Sequence, residues 1–191
     1  NLVGEKLTMD KPKIFVTLST FCEMDTKPRS LLEESEFDFV ENTNGKRITP
    51  EELLKKGTDW SGLIAGVEPY TSHTLAQLPN LKCISRVGVG IDSIDLNYTK
   101  ENSIVVRNTP DSPILAVTEM TITQVLCLLK KVVYHNSLMK RRVWKKQFGS
   151  QLRGKTLGII GVGRIGKAVA ESFSLLGVSL LGFDPEKDEN W

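Results

Sequence analysis

Apolar positions fall into short runs separated by amphipathic stretches. The first five runs are Ile14–Leu18, Phe37–Val40, Gly62–Ala65, Cys83–Ser85 and Ile104–Val106, several of them apolar on successive residues. That pattern predicts strands covered on both faces, as in a parallel sheet. Between the second and third runs, "TPEELLKKG" has the marks of a helix. Thr49 is a good N-cap, Pro50 suits the first helical position, Glu52 completes a capping box and Gly57 supplies the stop. "TSHTLAQLPN" and "IDLNYTKEN" fill the next two intervals. Strands alternating with helices through residues 1–110 predict a doubly wound α/β domain.

The period then changes. Ser112 is placed to cap a helix that begins at Pro113, and Ile114–Tyr134 reads as one long helix, apolar on most faces, as at a domain or subunit interface. The stretch from Lys130 onward carries Lys130, Lys131, Lys140, Arg141, Arg142, Lys145 and Lys146 with no acid among them. At helical spacing those cations predict a solvated face beside an oligomer contact. Strand Lys155–Ile160, a glycine loop, helix Ile165–Leu176 and strand Ser179–Phe183 follow, so residues 111–191 read as a second, incomplete domain.

Composition adds exclusions. A net charge of +2 gives no ground for a dedicated nucleic-acid or membrane binder. No apolar run is long enough to span a bilayer, and no leader pattern precedes the first strand. Cys22, Cys83 and Cys127 are odd in number and widely spaced, which predicts free, buried thiols in a reducing compartment, hence the cytoplasm. No metal-ligand set is assigned.

The chemistry is carried by "TLGIIGVGRIGKAVAESFSLLGVSLLGFD". Gly161-x-Gly163-x-x-Gly166 follows an apolar strand and opens an amphipathic helix; a second strand ends in Asp184. In that context the glycines make a dinucleotide fingerprint. Gly161 permits the tight turn, Gly163 has no side chain to block a pyrophosphate, and Gly166 lets helix and strand pack closely. The helix N-terminus offers free N–H groups to phosphate. The Asp184 carboxylate can accept both hydroxyls of an adenosine ribose and would repel a 2′-phosphate, which predicts NAD rather than NADP. A second pair, Gly88 and Gly90 in "LKCISRVGVGIDSIDL", also lies just past a strand. It reads either as a turn alone or as backbone amides open to a small anion, with Arg86 adding positive charge or serving a structural ion pair.

"PNLKCISRVGVGIDSIDL", "VRNTPDSPILAVTEMT" and "LRGKTLGIIGVGRIGKAVAESFSLLGVSLLGFDP" occur in the order and approximate spacing of three signatures of the D-isomer-specific 2-hydroxyacid dehydrogenases. The chain resembles the phosphoglycerate-dehydrogenase-like branch of that family over about residues 60–185. The resemblance implies a flavodoxin-like doubly wound substrate domain followed by the first part of a Rossmann NAD-binding domain. It also implies NAD as cofactor, a small 2-hydroxy or 2-keto acid as substrate, and a homodimer. Val87, Gly88 and Val89 match the loop whose backbone receives the substrate carboxylate, with Val89 also at a position that touches the cofactor. Arg164 and Ile165 match the pair whose amides meet the pyrophosphate, and Asp184 matches the ribose-binding acid. Thr118 stands where the family usually has alanine, and its larger, polar side chain bears on the packing at that helix start.

The family's catalytic arginine, glutamate and histidine lie beyond the second strand of the nucleotide domain, so the resemblance assigns no catalytic residue here. His73 and His135 are on other segments and read as surface or structural residues. Two parallel strands and one helix leave a bare sheet edge, which predicts a fragment of a longer protein, inactive by itself. A non-catalytic NAD-sensing binding protein and an inactive remnant of the same fold are the competing expectations.

Overall fold

The computed structural model describes residues 11–186, and the chain divides into two compact units, Asn1–Pro110 and Asp111–Trp191. Residues 187–191 at the end of the sequence lie outside the described residues.

In the first unit the strands are β1 (Lys13–Val16), β2 (Asp38–Glu41), β3 (Gly62–Ala65), β4 (Cys83–Arg86) and β5 (Val105–Asn108). They form one parallel sheet in the order β2-β1-β3-β4-β5. This is the flavodoxin-like order, in which the direction of winding reverses at β1/β3. The connecting helices are α1 (Lys27–Glu33), α2 (Pro50–Lys56), α3 (Ser72–Leu75) and α4 (Leu96–Glu101). Helix α2 starts as its sequence dictates: Thr49 accepts from the Glu52 amide, and Glu52 accepts from the Thr49 amide at 2.9 Å. Asp95 caps α4 in the same way, accepting from the Tyr98 amide at 3.0 Å. Helix α1 has no counterpart in the apolar pattern; it buries no residue and lacks a side-chain cap.

One face of the sheet is closed. Phe15, Leu63, Ala65 and Ile84 pack with Leu53, Trp60, Leu75 and Leu78, and Phe15 stacks on Trp60 with ring centres 5.0 Å apart. The other face is less covered than strands apolar on successive residues predict. Ile14, Ile64 and Cys83 are half-buried there and line a groove of about 640 Å³. Alternating side chains point to opposite faces, so the closed and open faces share the same short strands.

The second unit contains α5 (Ile114–Leu129), α6 (Val132–Lys140), β6 (Thr156–Ile160), α7 (Arg164–Ser174) and β7 (Ser179–Phe183). Two expectations are corrected. Ser112 does not cap α5; Pro113 is the N-cap residue, and its carbonyl takes the first helical bond from the Val117 amide at 2.9 Å. Ile114–Tyr134 is not one helix. Lys131 takes the left-handed conformation, and the Leu129 carbonyl accepts from the Ser150 amide at 2.8 Å. Gly149 lies so close that a Cβ there would sit 2.6 Å from the Leu129 oxygen. The 149–150 segment thus takes the carbonyl that a continuous helix would need. Thr118 is buried with its hydroxyl donating to the Ile114 carbonyl at 2.8 Å, so the larger polar residue is accommodated.

Helix α7 buries Gly166, Val169, Ala170 and Phe173, one helical stripe. Strands β6 and β7 pair in parallel, Thr156 opposite Ser179 through Ile160 opposite Phe183. Ile160, Leu181 and Phe183 remain exposed, Ile160 at 88%. The cations of the basic run, Lys130–Lys146, are exposed. Cys22, Cys83 and Cys127 are free, but half-buried rather than buried. Among the described residues no helix is long and apolar enough to cross a membrane.

Candidate functional site

The turn from β6 into α7 is built by three glycines for three different reasons. Gly161 sits at φ +90, where a side chain would be strained, and its amide donates to the Phe183 carbonyl at 2.8 Å. Gly166 faces the turn itself: a Cβ there would overlap the Gly161 carbonyl oxygen. Gly163 is different. Its backbone is extended, φ −76, and a Cβ would meet nothing within 4 Å. The protein's own packing therefore does not require glycine at 163, and the space over its backbone is open.

Gly163 is also the N-cap of α7, so no side chain covers the first amides of the helix, including those of Arg164 and Ile165. Those amides and the helix dipole favour an anion. The Arg164 side chain pairs with exposed Asp111 at 3.3 Å, which leaves its backbone as the part that faces the turn. Asp184, half-buried at the end of β7, accepts from the Val162 amide at 2.7 Å through Oδ2 and from the Glu186 amide at 3.0 Å through Oδ1. The acid is thereby held at the mouth of the glycine loop. Open space over Gly163, uncapped amides and a fixed carboxylate fit a dinucleotide with a free ribose diol.

The second glycine loop, residues 87–90, leaves β4 in the first unit. Gly88 has φ +132, and the Arg86 guanidinium lies where its Cβ would be. Arg86 also donates to the Val87 carbonyl, and its buried Nε has no partner. The arginine is thus folded onto its own loop. The Val87 amide donates to the Ala65 carbonyl at 2.8 Å, and the Gly88 amide to Thr109 Oγ1 at 2.7 Å. The Thr109 amide returns a bond to the Gly88 carbonyl at 3.0 Å, and Asn108 Nδ2 donates to the Val89 carbonyl at 2.7 Å. Of the candidate residues Val87, Gly88 and Val89, two have engaged amides. Among the described residues, the Val89 and Gly90 amides have no acceptor, so these are the donors the loop can offer an anion.

Asn108 and Thr109 were not singled out by the sequence pattern, where they only precede a helix start. Their signal is strand register: Asn108 lies opposite Arg86 in the β4/β5 ladder, which puts both residues beside the loop. A buried polar cluster is equally silent in the sequence. Beyond the carboxyl ends of β1 and β3, Glu68 Oε2 accepts from the Gly66 amide at 2.9 Å, Tyr70 hydroxyl at 3.1 Å and Thr17 Oγ1 at 3.2 Å. Burial first, and then the Glu68 charge, push the Tyr70 phenol well above its ordinary pKa, so it remains a donor. His73, in α3, is exposed and has its own Gln77 as neighbour; His135, in α6, meets the edge of Tyr134. Neither lies in a glycine loop.

Three comparisons place this geometry. The family model of the D-isomer specific 2-hydroxyacid dehydrogenase catalytic domain matches residues 16–179. D-3-phosphoglycerate dehydrogenase of Pongo abelii is 34% identical over 165 residues, covering 85% of this chain and 30% of that protein. The NAD⁺-bound 3-phosphoglycerate dehydrogenase of Entamoeba histolytica superposes with a TM-score of 0.74 at 28% identity, covering 94% of this chain and 56% of that one. D-lactate dehydrogenase of Aquifex aeolicus, solved with NAD and lactic acid, gives 0.75 at 26% identity, covering 93% and 53%. The chain therefore spans under a third of the Pongo relative and just over half of these solved chains. With the glycine turn, the fixed acid and the 2-1-3-4-5 sheet, the match identifies the chain as a member of the D-isomer specific 2-hydroxyacid dehydrogenase family.

Proposed function

We propose that this chain binds NAD and a small 2-hydroxy or 2-keto acid as part of an oxidoreductase acting on the CH–OH group. Residues 1–110 are the substrate-binding domain and residues 111–191 the first part of the NAD-binding domain. The observation that carries the reading is Gly163, a glycine that the protein's own packing does not need. Gly161, Gly163 and Gly166 form the turn, the Arg164 and Ile165 amides receive the pyrophosphate, and Asp184 receives the ribose hydroxyls. NAD supplies the hydride acceptor when bound. Val89 and Gly90 present amides to the substrate carboxylate, with Val87 and Gly88 shaping the loop. Phosphoglycerate and lactate relatives share this scaffold, so the family does not fix the acid.

Calorimetric titration with NAD and NADP tests the cofactor assignment. The chain binds NAD in preference to NADP, and Asp184→Arg moves the preference towards NADP. Unchanged selectivity in the variant removes Asp184 from ribose recognition. Neither histidine lies in a glycine loop, so we expect this chain to turn over no 2-keto acid with NADH; turnover by material of confirmed mass would refute that. A homodimer contact through α5, α6 and the segment that follows them is supported by exposed Leu115, Leu128 and Val133 on the helices and Trp144 and Phe148 beyond them. Sedimentation of wild type against Leu128→Lys reads it directly: a dimer that persists in the variant excludes this face.

A further inference from the structure

We infer that Thr109 is a positioning residue for the substrate carboxylate, acting through the Gly88 peptide; this rests on the anion-binding reading of the 87–90 loop. Gly88 at φ +132 has a backbone that could turn freely in the absence of restraints. Three bonds from the end of the first unit remove that freedom. Thr109 Oγ1 accepts the Gly88 amide at 2.7 Å, the Thr109 amide donates to the Gly88 carbonyl at 3.0 Å, and Asn108 Nδ2 donates to the Val89 carbonyl at 2.7 Å. The Thr109 side chain and backbone thus close a two-bond ring on one residue.

The ring has two effects. It consumes the Gly88 amide, which would otherwise compete for an incoming anion or demand water. It also fixes the Gly88 carbonyl, and therefore the peptide whose N–H belongs to Val89. With Asn108 holding the Val89 carbonyl, the peptide carrying the Gly90 amide is fixed as well. Both unpaired donors are thus oriented from residues nineteen to twenty-one positions away. A preset pair of donors binds an anion without the ordering cost a loose loop would incur. The hydroxyl is the necessary part: a methyl in its place leaves Gly88 without an acceptor, while serine keeps one.

The test is a titration of the ¹⁵N-labelled chain with oxamate, a 2-keto acid analogue, followed at individual amides by NMR, with Thr109→Val and Thr109→Ser beside wild type. Wild type shifts at Val89 and Gly90. Thr109→Val keeps its melting temperature within a few degrees yet needs about tenfold more oxamate for the same saturation, the loss expected for one positioning hydrogen bond. Thr109→Ser stays within about twofold of wild type. Should valine prevent folding, Thr109→Ala gives the same comparison. A Thr109→Val or Thr109→Ala chain that binds oxamate as tightly as wild type overturns the proposal alone. A wild-type chain whose Val89 and Gly90 amides never respond to oxamate overturns the carboxylate reading of the loop as well.

Discussion

The two glycine loops resemble each other in sequence, each following a parallel strand, yet they are held in opposite ways. The 161–166 turn is nearly self-contained: Gly161 and Gly166 fit each other, and Asp184, from the strand paired alongside, ties down Val162. The 87–90 loop is held from outside, by Arg86 before it and by Asn108 and Thr109 at the end of the next strand and just past it. The first loop saves its unexplained freedom for one position, Gly163. The second has spent two of its amides on the protein and keeps two. A glycine motif therefore shows its purpose through whichever groups its own protein leaves unused.

Substitutions separate these roles. Gly166→Ala drives a methyl into backbone that cannot move aside, and we expect it to destabilise the second unit by about 3 kcal/mol or more in urea unfolding. A loss under about 1 kcal/mol would mean the turn can open and the close-packing account is wrong. Gly88→Ala meets both the positive φ and Arg86, with an expected cost of about 2 kcal/mol in the first unit; removing Arg86 in the same chain should recover part of it. Gly163→Ala is the informative contrast. Stability should change by less than about 0.5 kcal/mol, while NAD affinity drops more than about tenfold as a methyl enters the pyrophosphate's space. Equal losses of stability at 163 and 166 would erase the distinction between them.

A weaker difference concerns acid. Several carboxylates of the first unit are held below their ordinary range. Hydrogen bonding from Arg29 lowers Glu41, the Thr49 amide lowers Glu52, and Lys13 lowers Asp59. A depressed folded pKa contributes stability that is complete above the unfolded value, near 4.5 for the two glutamates, and is lost as pH falls through the folded value. Acid should therefore weaken the first unit in the range below about pH 4.5. Trp60 fluorescence, isolated by replacing Trp144 and Trp191 with Phe, reports it, and Glu41→Gln should flatten the response. An acid profile identical in wild type and Glu41→Gln would show that this ion pair adds nothing.

What the sequence made legible follows the range of the interactions. The α2 capping box and β7, Ser179–Phe183, are set by residues within a few positions, and both stand as the pattern predicts. The glycine turn was readable for the same reason. The break at Lys130–Lys131 was not, because it is imposed by Gly149 and Ser150 from beyond α6. Helix α1, which buries nothing, leaves no apolar period to read. The roles of Asn108 and Thr109 depend on β5 lying beside β4, and the Glu68 cluster depends on β1 lying beside β3. Apolar pattern alone could not place either neighbour.

The bond from the Val162 amide to Asp184 bears on how readily this fold changes its cofactor. The carboxylate proposed to read the ribose also anchors the glycine turn. A mutation that welcomes a 2′-phosphate by removing the acid also unhooks Val162 and frees the Glu186 amide. The first step of such a conversion lowers affinity for both dinucleotides, even as preference moves. A lineage that acquires NADP use from this starting point must first find a second anchor for the turn, so the two traits are inherited together and the original specificity is the harder one to leave.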